Sequence, residues 1–148
     1  MDLLTFLTNT QKETLPFFDL PKDDLSKTYA PGKWNIQQIL VHLTDADSVM
    51  LDRIRRAIAE PSVVVWAFDQ DIWCDRLEYQ NFPLELSKAS YIANRQITVF
   101  LAQKYYATLG ANQFVHSQTG LRTLKDEFDK VAIHNQTHIN QIKMALSK

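Results

Sequence analysis

Cysteine is nearly missing from this chain: Cys74 is the single one among 148 residues. No intramolecular disulfide can form, and no Cys-rich structural metal site can be assembled. Glycine is almost as rare, with three residues, and none belongs to a loop of the kind that cradles phosphate. A Ser-His-Asp order is missing too. Neither sign of charge dominates, with 16 basic against 17 acidic residues and a net charge of -1. Without a basic footprint, nucleic acid is not an expected partner. No apolar run reaches the roughly 18 to 20 residues needed to span a bilayer, so no membrane role is expected. The N-terminal "MDLLTFLTNTQKE" lacks a basic region and a small-residue cleavage site and does not read as a signal peptide. Together with the lone cysteine, this points to a reducing cytoplasm.

What is present is a good core former. Hydrophobic residues make up 45% of the chain, and its length fits one domain over residues 1–148. The few Pro and Gly fall where segments should break. A first amphipathic helix reaches "NTQKETLPFFDL", where Pro16 predicts a kink or a stop. Residues 21–34 read as a connector with a Pro-Gly turn. Asn35 then looks like an N-cap, with Gln38 completing a capping box. The helix it starts runs to about Glu60. Its apolar stripe is Ile36, Ile39, Leu40, Leu43, Met50, Ile54 and Ile58. Within it, "DRIRR" at 52–56 reads as a solvated face.

Residues 61–82 form an unusually long connection, and such loops are often functional. "SVVVWAF" suits a short extended piece; "DQDIWCDRL" suits a short helix capped by Asp69 or Asp71. A third long helix follows Pro83 and stops before Gly110. After a loop with Gly120, Thr123 and Asp126 predict a capping-box start to the last helix. Four long amphipathic helices imply an all-α four-helix bundle, without a sheet of three or more strands.

The chemistry concentrates in "HNQTHINQIK", residues 134–143. His134 and His138 are four apart and share a helix face. They lie about 90° and about 50° from the centre of the stripe formed by Leu124, Phe128, Val131, Ile142 and Leu146. Gln141 falls beside His134 on the same wheel. On the second long helix, His42 lies about 100° from its own stripe centre. Two shoulders of one bundle can meet, so His42 can supply a third imidazole. Three neutral histidines with an open position make a catalytic type of zinc site, or a nickel site. Spacing alone leaves two readings open, since the pair lacks the Glu that makes H-E-x-x-H distinctive. It holds either one shared ion or two ordinary hydrogen-bonded histidines.

These segments resemble a known family. "GKWNIQQILVHLTDAD", 32–47, is similar to the Trp-then-His-Leu signature of the DinB/YfiT-like metalloenzymes. "GLRTLKDEFDKVAIHNQTHINQIK", 120–143, resembles their closing helix, and "FDQDIW", 68–73, a stretch between their second and third helices. The resemblance runs from about residue 10 to the end. It implies an up-down-down-up four-helix bundle, commonly a homodimer, with a divalent metal held by His42, His134 and His138. Many members have two adjacent histidines where this chain has Thr137 and His138; the first of that pair is not counted as a ligand. His116 matches a recurrent position outside the triad, read here as ordering its loop, with a place at the pocket rim as the alternative. Members with assigned chemistry include transferases and isomerases that use low-molecular-weight thiols such as bacillithiol, mycothiol or glutathione. A thiol and an electrophilic small molecule are therefore the expected reactants. The alternative is a dimeric bundle that holds a metal or ligand without catalysis.

Other residues carry two readings each. Asp45 or Asp47 can orient an imidazole N–H or simply solvate the helix, the latter preferred for Asp45. Asp69 and Asp71 can line a pocket mouth with Trp66 and Trp73. Equally, the two Trp can be core anchors and the two Asp turn caps. Trp34 reads as packing. Cys74 reads either as a reactive thiol or, since no basic partner is near it in sequence, as a small buried hydrophobe, the latter preferred.

Overall fold

The computed structural model describes residues 2–148. Helix α1 spans Leu3–Thr14 and tightens into a 3-10 turn over Leu15–Asp19. Pro16 lies in that turn, where it ends the α-helical ladder. A four-residue helix, α2 (Lys22–Leu25), interrupts the connector. Helix α3 covers Ile36–Ala59 and is opened by the capping box of Asn35 and Gln38. The long connection carries β1 (Val64–Val65) and α4 (Gln70–Arg76), the latter capped by Asp69. Then follow α5 (Leu84–Tyr105), β2 (Gln113–His116), β3 (Gly120–Thr123) and α6 (Leu124–Leu146). Thr123 and Asp126 form the predicted capping box of α6.

One expectation needs correcting. β1, β2 and β3 do form a three-stranded sheet, parallel between β1 and β2 and antiparallel between β2 and β3. The bundle is intact, because the sheet is made only from the α3–α5 and α5–α6 connections. Gly120, at φ 76°, turns β2 into β3; a Cβ resists that conformation. In the sequence the segment 111–123 looks like a loop, because its strands are four residues long, too short to show a period of two.

Helix directions follow from the hydrogen bonds. Gln37, at the start of α3, donates to the carbonyls of Tyr79 and Phe82, just before α5 begins. Asn112, just past α5, donates to Ala57 at the end of α3. So α3 and α5 run parallel. Helix α6 starts beside Asn112 and therefore runs against them. Lys143 near the end of α6 pairs with Glu13 near the end of α1, so these two run together. The result is up-down-down-up. A parallel α3–α5 pair needs a connection that travels the length of the bundle, and this is what residues 60–83 do.

The apolar core falls into two main clusters. One includes Leu7, Met50, Ile54, Phe114 and Phe128; the other includes Phe18, Ile36, Leu40, Tyr91 and Ile142. Between them every long helix contributes buried polar side chains. Arg95 donates to Asp47 from Nε at 3.1 Å and Nη2 at 2.8 Å. It also donates to Asn135 Oδ1 at 2.6 Å and Thr10 Oγ1 at 3.3 Å. Tyr91 donates to the same Asn135 oxygen, and the Asn135 amide donates to Thr14. Arg95 and Asp47 are 0% and 1% exposed as side chains. Removing one partner of such a pair strands a charge and costs about 3–5 kcal/mol. Asp47→Ala should therefore lower the unfolding free energy by that amount in urea denaturation. A loss below about 1 kcal/mol would show that the layer does not hold the bundle.

Candidate metal centre

Three imidazoles meet on one side of this polar layer. His42 comes from the second turn of α3, His134 and His138 from the middle of α6. His42 Nε2 lies 3.0 Å from His134 Nε2, and His138 Nε2 lies 3.2 Å from the same atom. Two nitrogens bound to one tetrahedral zinc ion at about 2.0–2.1 Å sit roughly 3.3–3.4 Å apart. The spacing found here is thus close to that of nitrogens facing a common point. Among the described residues these three are the one group of His, Cys or acidic side chains whose ligand atoms cluster in this way.

The surroundings fix one ring and bury the others. His138 Nδ1 lies 2.7 Å from Gln141 Oε1. An amide oxygen only accepts, so Nδ1 carries the proton and Nε2 keeps its lone pair. The Nδ1 atoms of His42 and His134 are buried without a partner. Trp34 packs on His42 with ring centroids 4.8 Å apart, and Phe68 lies 6.4 Å away. The sequence placed His42 on a helix shoulder; it is 1% exposed, because the long connection folds over that shoulder. Burial, helped by the other two rings, lowers the His42 pKa to about 2. Burial, His138 and the cations Lys130 and Arg95 lower His134 to about 3. Burial also lowers His138, with Gln141 opposing. All three are therefore neutral at neutral pH, as metal ligation requires.

A cavity of about 360 Å³ adjoins the centre and opens to the surface. His42, His134, Phe68, Asp69, His116 and Lys130 all border it. His116 does two things. The alternation of β2 turns it inward with Phe114, and its Nδ1 accepts from the backbone N–H groups of Gln118 and Thr119, both at 3.2 Å. It orders the β2–β3 turn, as expected, and also lines the cavity.

The remaining candidates sort plainly. Asp69 caps α4 through Oδ1 and borders the cavity; Asp71 does not. Trp66 is 77% exposed and is no core anchor, whereas Trp73 packs against the cluster of Val41, Cys74 and Tyr79. Cys74 is buried, and burial beside Asp71 and Asp75 raises its thiol pKa. Neither acid after His42 touches an imidazole. Asp45 is not a solvated residue: it accepts from the Tyr79 hydroxyl at 2.6 Å, and Asp47 holds Arg95.

Sequence reasoning missed three residues. Gln141 lies three residues after His138, one helical turn away, although the wheel set it nearer His134. Arg53 was read into a solvated face, yet it is 3% exposed and borders the cavity. It follows His42 by eleven residues, which is three turns along the same side. Lys130 precedes His134 by four.

Comparisons with known proteins identify the family and the fold. A model of the DinB superfamily matches residues 7–142. The chain belongs to the DinB superfamily. It is 32% identical over 140 residues to a protein of Oceanobacillus iheyensis named "Putative metal-dependent hydrolase", covering 95% of this chain and 79% of that one. A second protein of the same organism and name is 26% identical, with 95% and 78% covered. The fold matches the structure of YfiT from Bacillus subtilis with a TM-score of 0.87 at 17% identity, over 95% of this chain and 82% of that one. YfiT is described as "a probable metal-dependent hydrolase with an unusual four-helix bundle topology".

The buried neutral rings have a measurable consequence. In the unfolded chain each imidazole titrates near its unperturbed value of about 6.5. Below that pH the unfolded state binds protons that the folded state refuses, so stability falls as pH drops toward the lowered folded values. Above it the penalty is absent. Metal-free protein should lose up to roughly 1.4 kcal/mol per pH unit for each ring that stays neutral, between about pH 6.5 and 5. His134→Gln should make this slope shallower by about one proton's worth in denaturant titrations. Parallel slopes for the two proteins would contradict the buried, neutral assignment.

Proposed function

We propose that the chain is a metal-dependent enzyme whose divalent ion, zinc or nickel, is held by Nε2 of His42, His134 and His138. The convergence of the three nitrogens is the observation that carries this reading. An all-imidazole set without a carboxylate suits zinc or nickel better than magnesium or calcium. Three protein donors leave room for a further ligand, as in catalytic rather than structural sites. A divalent ion in that position lowers the pKa of a thiol or water that it coordinates.

The protein's own groups have definable parts. Gln141 holds the His138 ring in the tautomer that presents its lone pair. Trp34 and Phe68 shield His42 from water. His42 and His134 border the cavity, so a small molecule placed there reaches the centre directly. This open access supports an enzyme over a bundle that merely stores a metal. The family resemblance favours a low-molecular-weight thiol as nucleophile and an electrophilic small molecule as its partner, hence a transferase. The names of the relatives favour a second reading, hydrolysis with water as nucleophile. Residues 1–148 would act as one cytoplasmic domain. A homodimer is proposed through the outer face of α5, where Leu86 and Phe100 are 59% and 60% exposed.

Protein purified without a polyhistidine tag should contain about one divalent ion per chain by elemental analysis. His42→Ala, His134→Ala or His138→Ala should empty the site, while His116→Ala retains it. Gln141→Ala should weaken metal affinity about 10- to 100-fold. A metal content indifferent to the triad would overturn the proposal. With the ion bound, thiol consumption in a panel of electrophiles supports transfer. Turnover of esters or amides without thiol supports hydrolysis. Light scattering at micromolar concentration should give twice the chain mass, and a monomer contradicts the dimer.

A further inference from the structure

The part of the cavity wall formed by Arg53, Lys130 and His116 is rich in hydrogen-bond donors that lack acceptors. Arg53 is buried at 3% exposure. Its Nη2 donates to the Trp66 carbonyl at 2.7 Å and its Nη1 lies 3.4 Å from Glu127. Its Nε has no partner at all, and a buried donor left this way needs an explanation. Lys130 is half-buried beside it. Glu127 contacts Arg53, and Lys130 makes no ion pair of its own among the described residues. Burial, with Arg53 and Arg122 nearby, pulls the Lys130 ammonium below its usual range against the opposing carboxylate of Glu127. His116 accepts two N–H groups at Nδ1 and so carries its proton on Nε2. One carboxylate, Asp69, also borders the cavity, but its Oδ1 is engaged by the N–H groups of Asp71 and Ile72.

We propose that this wall binds an anionic group of a small substrate, a carboxylate or a phosphate, through Lys130, Arg53 and the His116 N–H. Arg53 and Lys130 have the single carboxylate of Glu127 between them, and the positive charge left over at such a wall recognises oxyanions. Arg53 follows His42 along one side of α3 and Lys130 precedes His134 by about one turn of α6, so an anion held there lies further along the cavity from the imidazoles. Only the word substrate rests on the enzyme proposed above; the binding itself does not need the metal.

The test therefore uses the full chain treated with a chelator. Thermal unfolding is followed against inorganic phosphate and against malonate, with sodium chloride at matched ionic strength as the control. One of the two anions should raise Tm saturably beyond the control, which also tells phosphate from carboxylate. Lys130→Met should weaken the apparent affinity about tenfold or more, and Lys130→Arg should retain it. Amide resonances of Gln118 and Thr119 in the unmutated chain should shift with the same anion. No saturable effect, or an equal effect in Lys130→Met, overturns the inference. A saturable effect in a protein that never takes up a divalent ion would sustain this site and overturn the enzyme instead.

Discussion

The Asp47–Arg95 ion pair sits where all four long helices meet, and the site depends on it. Arg95 alone bridges three helices, to Thr10 of α1, Asp47 of α3 and Asn135 of α6. Asn135 is the neighbour of His134, and Asp47 lies five residues after His42. The charged layer therefore sets how α3 and α6 register against each other. That register decides whether Nε2 of His42 arrives 3.0 Å from Nε2 of His134 or elsewhere. An all-apolar layer of similar volume could match its stability, since buried pairs pay heavily for desolvation. What hydrocarbon lacks is direction: two slid helices would still pack, whereas a misplaced guanidinium leaves a charge without its partner.

A second constraint comes from topology. Parallel α3 and α5 oblige residues 60–83 to run back along the bundle, and this strap becomes one wall of the site. It brings Phe68 toward His42 and sets Asp69 at the cavity edge. Its lower end is fastened by Tyr79, which is fully buried and donates to Asp45. The short sheet works at the opposite end. By pairing with β1, strand β2 carries His116 to the cavity, and the β2–β3 turn is held by the same ring. Loops thus close the site that helices position.

Much of this was legible in the residues. The capping boxes at Asn35 and Thr123 marked two helix starts correctly, because side chain and backbone satisfy each other locally. The shared face of His134 and His138 was legible because a helix fixes directions from spacing; His42 joined them only through the shoulder argument and the family resemblance. Contacts across the fold were not. Nothing in the spacing of Asp47, Arg95 and Asn135 says that they meet, since each is one polar residue on a separate helix. Arg53 shows the limit from the other side. Its place on the shoulder of His42 was computable, but its cover, the strap and Glu127, belongs to the tertiary structure.

A crystal structure of untagged protein grown with zinc or nickel, with anomalous data at the metal edge, tests the central claim most directly. The account predicts one strong peak on each chain, about 2.0–2.2 Å from Nε2 of His42, His134 and His138 together, with the Gln141 contact kept. A peak held by other residues, or no peak between three converging rings in metal-saturated crystals, would contradict it.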